Sequence, residues 1–385
     1  MKRFCALPIL IAILMTLHCS SGKNQSSDEV MDFDTFKVKR VDLTHFSQCG
    51  TIKKVIKLET NDNSAFGSIS RLIIDKKTGD ILILDTESRR MVLRFNKEGK
   101  YLISYGKIGN GPSEYQDLYD FCQTENGDII LLTSHKLIKL SSTNVLLLEK
   151  RVNISSSKIE TIRDKLFVLM INDQSNQKEK HAIEVYDLFF SNIGGIGQHD
   201  SRFEKYIFLA NNKIATRRNQ LFYSHGYDFQ LNIYDSNSQK LSRLRIPSNN
   251  SALDAVWGKK NFTEADRTTI KGRLHFFLYI FPMEDDLLLY EICKDENIYS
   301  IWRLNLEKKE AIIYSYFCFN KNWQVKDQNQ LRFEGILGAY DKGFIAAFFD
   351  AEEFNKYKND YPALKDIEFN LDDNPILAFY EFNEK

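Results

Sequence analysis

The segment Gly79-Asp80-Ile81-Leu82-Ile83-Leu84 is answered 48 residues later by Gly127-Asp128-Ile129-Ile130-Leu131-Leu132. Neither apolar run alternates with polar residues, so each reads as a strand covered on both faces. Short apolar strands recurring at such a period restrict the chain to few architectures, because one small sheet cannot bury both its faces unless neighbouring sheets stack against it. The pattern predicts an all-β fold, a β-propeller of four-stranded antiparallel blades.

Six blades can be laid along the chain. The first has strands near 67–75, 80–85, 89–95 and 101–105, separated by Lys76-Lys77-Thr78-Gly79 and Asn96-Lys97-Glu98-Gly99, each with a glycine where a hairpin loop needs positive φ. The second occupies 118–149, and the third uses 159–162, 166–170, 183–187 and 189–193. The fourth runs from Tyr206 to Leu244 and the fifth from Leu274 to Phe317. The sixth has only three strands, Arg332 to Tyr340, Gly343 to Phe349 and Pro375 to Phe382, before the chain stops. The segment Ile52 to Leu58 is expected to supply the fourth and so close the ring, removing the open edges of a linear array. Two insertions read as short helices: one in 246–272, where Thr263 and Asp266 have capping spacing, and one in 351–366, broken by Pro362.

The ends of the chain speak to location. Lys2-Arg3 precede an uncharged run of 14 residues, Phe4 to Leu17, too short to span a bilayer as a helix but fit for an export signal. Cys19 follows in Met15-Thr16-Leu17-His18-Cys19-Ser20-Ser21-Gly22, which resembles the lipobox of bacterial lipoproteins, with His18 where that family carries Ala, Gly or Ser. The resemblance implies a signal peptide over 1–18 and a diacylated Cys19. Residues 19–40 then read as a flexible tether and 41–385 as the propeller, the partner at one end being a membrane reached through the lipid anchor. Removal of Lys2 and Arg3 with the signal leaves 50 basic against 52 acidic residues, a net charge of −2. That balance, without a concentrated basic run, argues against a nucleic-acid partner. The remaining cysteines, Cys49, Cys122, Cys293 and Cys318, have no Cys-x-x-Cys spacing and so no thiolate metal site.

From Val41 to Tyr115 the chain is similar to the bacterial six-bladed propeller lipoproteins related to NHL-repeat propellers. The residues that carry the likeness are Leu58-Glu59-Thr60, Leu84-Asp85, Phe95-Asn96-Lys97-Glu98-Gly99-Lys100 and Gly109-Asn110-Gly111-Pro112-Ser113-Glu114-Tyr115. It implies an envelope propeller and brings no catalytic residues.

Weighed as chemistry, the motifs read mostly as architecture. Gly109, Gly111 and Pro112 turn the chain from one blade to the next, with Glu114 accepting backbone hydrogen bonds and Tyr115 leading into the second blade; Ile193-Gly194-Gly195-Ile196-Gly197 is expected to do the same after the third. The histidines lack metal-ligand spacing, and Asp285-Asp286 and Asp372-Asp373-Asn374 read as solvated turns. Trp257 and Trp323 fall on segments that the repeat does not require, where an indole can anchor a ligand; Trp302 falls in a strand and reads as core. No cofactor, metal or catalytic set is assigned. The reading is a tethered module of the cell envelope, periplasmic or outer-membrane, that binds a glycan, a peptide or an envelope protein. An enzyme acting on an extracytoplasmic carbohydrate or peptide at the axial channel, and a structural subunit of an envelope complex, remain open beside it.

Overall fold

The computed structural model describes residues 29–43, 46–152, 155–172, 181–198, 213–224, 230–246, 263, 265–266, 275–293, 298–317 and 336–383. Within them the strands form six blades in a ring, each a meander whose first strand is innermost. The inner strands are Arg71–Ile74, Leu118–Gln123, Ser155–Ile162, Lys213–Arg217, His275–Pro282 and Ile336–Tyr340. The outer strands are Tyr101–Tyr105, Leu146–Arg151, Asn192–Gln198, Lys240–Arg245, Glu310–Phe317 and, in blade 6, Gly50–Lys57.

The unalternating apolar runs have a simple use. Ile81, Ile83, Leu82 and Leu84 are all sealed from solvent, but they serve two interfaces. Leu82 and Leu84 pack with Phe121, Ile129 and Leu131 of blade 2, while Ile81 and Ile83 pack with Ile345, Ala347 and Leu377 of blade 6. Blade 2 repeats the division, with Ile130 and Leu132 turned to Leu166 and Val168 of blade 3. These two second strands are therefore apolar on both faces, because each face is a core.

Ring closure falls to the expected segment. Gly50–Lys57 pairs antiparallel with Ile376–Phe382, from Gly50 against Phe382 to Lys57 against Ile376. Gly99 shows why the first hairpin tolerates only glycine: its φ is +89° and a Cβ there would lie 2.4 Å from the Lys57 carbonyl oxygen of the closing strand. Glu59 then ties the closure to blade 1 by accepting the Tyr101 N–H at 2.9 Å. On the other side Asn374, 2% exposed, accepts the Phe66 N–H and donates to the carbonyls of Glu59 and Ser64.

Three expectations are corrected. Part of the span read as tether is strand: Glu29–Asp32 runs parallel to the outer strand of blade 4, and Lys37–Leu43 parallel to that of blade 5. Composition hid this strap because its anchors are only two side chains, Phe33 and Phe36. They stack at 5.3 Å and insert among Leu244, Ile246, Trp302 and Ile313 between the two blades. In blade 3 the outer strand is Asn192–Gln198, so Gly194, Gly195 and Gly197 lie within it and do not form a linker; Phe189-Phe190 make the turn instead. Asp286 and Asn374 are buried partners, not solvated turn residues.

The 351–366 insertion forms the helix Ala351–Tyr357, capped by the Asp350 carboxylate on the Glu353 N–H, followed by a 3-10 turn at Lys358–Asp360. Thr263 and Asp266 exchange the capping-box bonds expected of them.

Candidate binding site

The inner strands of blades 1 to 4 bring charge to the propeller axis. Arg71 Nη1 donates to Asp120 Oδ2 at 2.7 Å and to the Ile159 carbonyl at 3.0 Å, and its Nη2 pairs with Glu160. Asp120, with its side chain fully buried, also accepts the Ile159 N–H at 2.9 Å, while Lys158 Nζ lies 3.5 Å from its second oxygen. Thr216 Oγ1 donates to Glu160 at 3.4 Å. Burial works against the Arg71 charge, but Asp120 and Glu160 outweigh it and hold the guanidinium above its ordinary range. For Glu160 the balance reverses: burial raises the carboxyl above its usual range although Arg71 pulls it down. A network so fully partnered locks three blades together at the axis.

Lys213 is placed differently. Its Nζ lies 4.7 Å from the Tyr279 ring centroid, and among the described residues no carboxylate pairs with it. Burial, and then the charge of Lys158, push its amine down to about 7, with Asp120 pulling the other way. Nearby Cys122 is a free buried thiol pushed up by burial, as is Cys49 in the closing blade.

The second feature lies at the rim. The Gly109–Tyr115 loop is braced by Glu114, whose carboxylate accepts the Gly111 N–H at 2.8 Å and pairs with Lys107 at 2.6 Å; Tyr115 donates to the Arg90 carbonyl at 2.7 Å. Gly109 leaves no room for a side chain, since a Cβ would meet Glu114 Oε2 at 2.1 Å. The Ser113 N–H reaches Glu149 on the outer strand of blade 2, which also takes Lys136 at 2.8 Å. Between this loop and that strand lies an open groove of about 780 Å³, walled by Asn110, Gln116, His135 and Arg151. The opposite end of that strand carries an exposed apolar row, Val145, Leu146 and Leu147.

Of the residues singled out in the sequence, Cys19, Trp257 and Trp323 lie outside the described residues. Trp302 is buried, donating Nε1–H to Glu291 at 2.6 Å. Asp286 accepts from Arg303 and, at 2.8 Å, from Asn305, while its carbonyl takes Arg217 at 3.0 Å. The axial charges were missed by motif reading. Their signal was present as single charged residues inside apolar inner strands, such as Asp120 in Leu118-Tyr119-Asp120-Phe121-Cys122.

Residues 29–381 match the profile of a domain of unknown function, DUF4934. The chain belongs to that family. The match begins at the strap. Among solved structures the fold is similar to that of a Bacteroides fragilis NCTC 9343 protein described as exported, at 18% identity with a TM-score of 0.69, covering 92% of this chain and 100% of the other. More distant likenesses include BamB of Moraxella catarrhalis, 11% identical with a TM-score of 0.38 over 86% of this chain and all of the other. Another is the Cps50 (Swd1) propeller domain of Myceliophthora thermophila, 11% identical with a TM-score of 0.41 over 64% and 69%. No curated protein matches the sequence.

Proposed function

We propose that this family member is an extracytoplasmic binding propeller of the NHL-like lipoprotein type, anchored through Cys19, and that its partner is an extended segment of an envelope protein received along the outer strand of blade 2. The observation that carries this reading is the uncovered edge at Val145–Arg151. Among the described residues no strand pairs beyond Leu146–Arg151, and Val145 and Leu147 are 58% and 49% exposed. A protein manages a bare edge with charge, proline or cover, and an apolar one is a template for strand addition. The chain itself supplies the precedent, since its own residues 29–32 and 37–43 add in parallel to the equivalent strands of blades 4 and 5. Arg151 and His135, which line the groove at the far end of the same strand, favour an acidic side chain on the incoming segment. Export of the Bacteroides fragilis neighbour and the signal-like N-terminus support the location.

Strand addition has a signature that general stickiness lacks. Photo-crosslinkers placed singly at positions 145 to 148 in cells should trap one envelope protein, with yields alternating along the strand. Uniform yields, or none, would remove this reading. Cys19→Ser should release the protein from the membrane and abolish lipid labelling; retained labelling would refute the anchor.

A further inference from the structure

We propose that the axial channel holds a binding site for a small oxyanion, a carboxylate or a phosphate, taken by Lys213 with Lys158 where blades 3, 4 and 5 meet. The inference rests on charge accounting and is independent of the outer edge. Among the described residues three cations meet two carboxylates at the axis, and Arg71 bonds both carboxylates itself. Lys158 has the second oxygen of Asp120 at 3.5 Å. The surplus cation is Lys213, which among the described residues makes no ion pair: Asp120 attracts it from beyond ion-pair distance, and its close contact is the π-face of Tyr279. An ammonium withdrawn from water without a counter-ion is costly, and a ring face offsets only part of that cost. Burial accordingly pushes the amine down to about 7. An oxyanion entering beside it would supply the missing partner, and Lys158 would offer a second donor on the same side of the channel. Tyr279 and Lys158 thus stand beside a cation for which, among the described residues, one negative charge is lacking.

Anion binding must then take up a proton. Among the described residues, Lys158 of blade 3, Asp120 of blade 2 and Tyr279 of blade 5 act on Lys213, and Arg71 of blade 1 and Glu160 of blade 3 join the same network through Asp120. The two carboxylates stay engaged with Arg71, so the proton goes to Lys213. Between pH 6 and pH 8 the protonated fraction of an amine titrating near 7 falls about tenfold, and affinity should fall with it.

The test uses the mature chain with inorganic phosphate in one arm and acetate in the other, each measured by calorimetry at pH 6 and pH 8. Binding of one probe, absent in Lys213→Met and weakened at pH 8 about tenfold more in the parent chain than in Lys213→Arg, so that the probe's own titration cancels, is the expected result; the arm that binds names the ligand chemistry. Reductive methylation with ¹³C-formaldehyde gives a readout without any variant: the Lys213 resonance should titrate near 7 and move upward when the bound probe is present. Titration in the ordinary lysine range near 10, or probe binding that survives in Lys213→Met, would overturn the proposal.

Discussion

Blades 4 and 5 and blades 1 to 3 are built on the same four-stranded meander but finish their outer edges in opposite ways. On blades 4 and 5 the outer-strand residues Leu244, Ala311 and Ile313 are sealed, covered by Phe33, Phe36 and the strap strands. The strap in turn presents Lys37, Lys39 and Arg40 to solvent, charges that discourage any further strand. On blades 1 to 3 the outer strands end the sheets, with Leu102, Leu147 and Ile193 about half exposed. Closing the ring requires only Gly50–Lys57. The preceding strands therefore serve edge protection on one side, and the unprotected side is where a partner's strand has room.

The largest way to break this comparison is to remove both devices. A chain beginning at Asn61 lacks the strap and the closing strand, leaving Ile376–Phe382 unpaired along one edge and Phe344, Ile345 and Leu377 poorly covered; it should show no cooperative melting transition. A chain beginning at Gly50 keeps closure and loses only the strap. Burying a phenylalanine side chain is worth up to about 3 kcal/mol, so losing Phe33 and Phe36 together should cost roughly 5 kcal/mol, readable as a shifted denaturant midpoint. An unchanged midpoint would show that the strap is decorative.

Phe33→Ala sharpens the same point inside the full chain. It should cost about 3 kcal/mol by creating a cavity against Trp302, whereas Leu147→Ala on the bare edge should change stability by less than about 0.5 kcal/mol. Asn374→Ala falls between, at about 2 kcal/mol, because it strands the buried carbonyls of Glu59 and Ser64 and the Phe66 N–H.

Acid should weaken blade 1 through a buried carboxylate. Asp85 of blade 1 accepts from Gly67, Ser68, Glu87 and Ser88. Burial raises its carboxyl, but bonds from Ser88 and the backbone outweigh that and hold it below the usual carboxylate range. Because the folded value lies below the unfolded one, the stabilisation is complete above about pH 4 and is lost as pH falls through the folded value. Asp85→Asn should lower stability at neutral pH and flatten its decline in acid; an unchanged acid profile would exclude the role.

How legible each part was in the sequence follows from the separation of its partners. The blades could be read because Gly79-Asp80 and Gly127-Asp128 announce a local repeat, and closure because blade 6 lacked a strand. The strap could not be read: Phe33 and Phe36 are two apolar residues in a polar stretch, and the cleft that receives them is built from residues beyond 240. Asn374 looked like a turn because its partners lie more than 300 positions earlier. The axial cluster was half legible, since a charge inside an apolar inner strand is visible, but that Arg71 would meet both Asp120 and Glu160 depends on the curvature of the ring.

The smallest expected effect on the fold separates a working edge from an idle one. Leu147→Lys places a charge at the centre of the apolar row without touching a buried side chain, since Leu147 is 49% exposed. Its melting temperature should match that of the parent chain. It should nevertheless abolish crosslinking from position 145, because an added strand would have to desolvate the new ammonium against its own apolar side chains. The corresponding change on the covered side, Val38→Lys, lies at an edge already carrying Lys37 and Lys39 and should alter neither stability nor crosslinking. Equal loss of crosslinking from both substitutions would mean that the two halves of the rim are equivalent, and that the contrast between covered and uncovered blades does not direct binding.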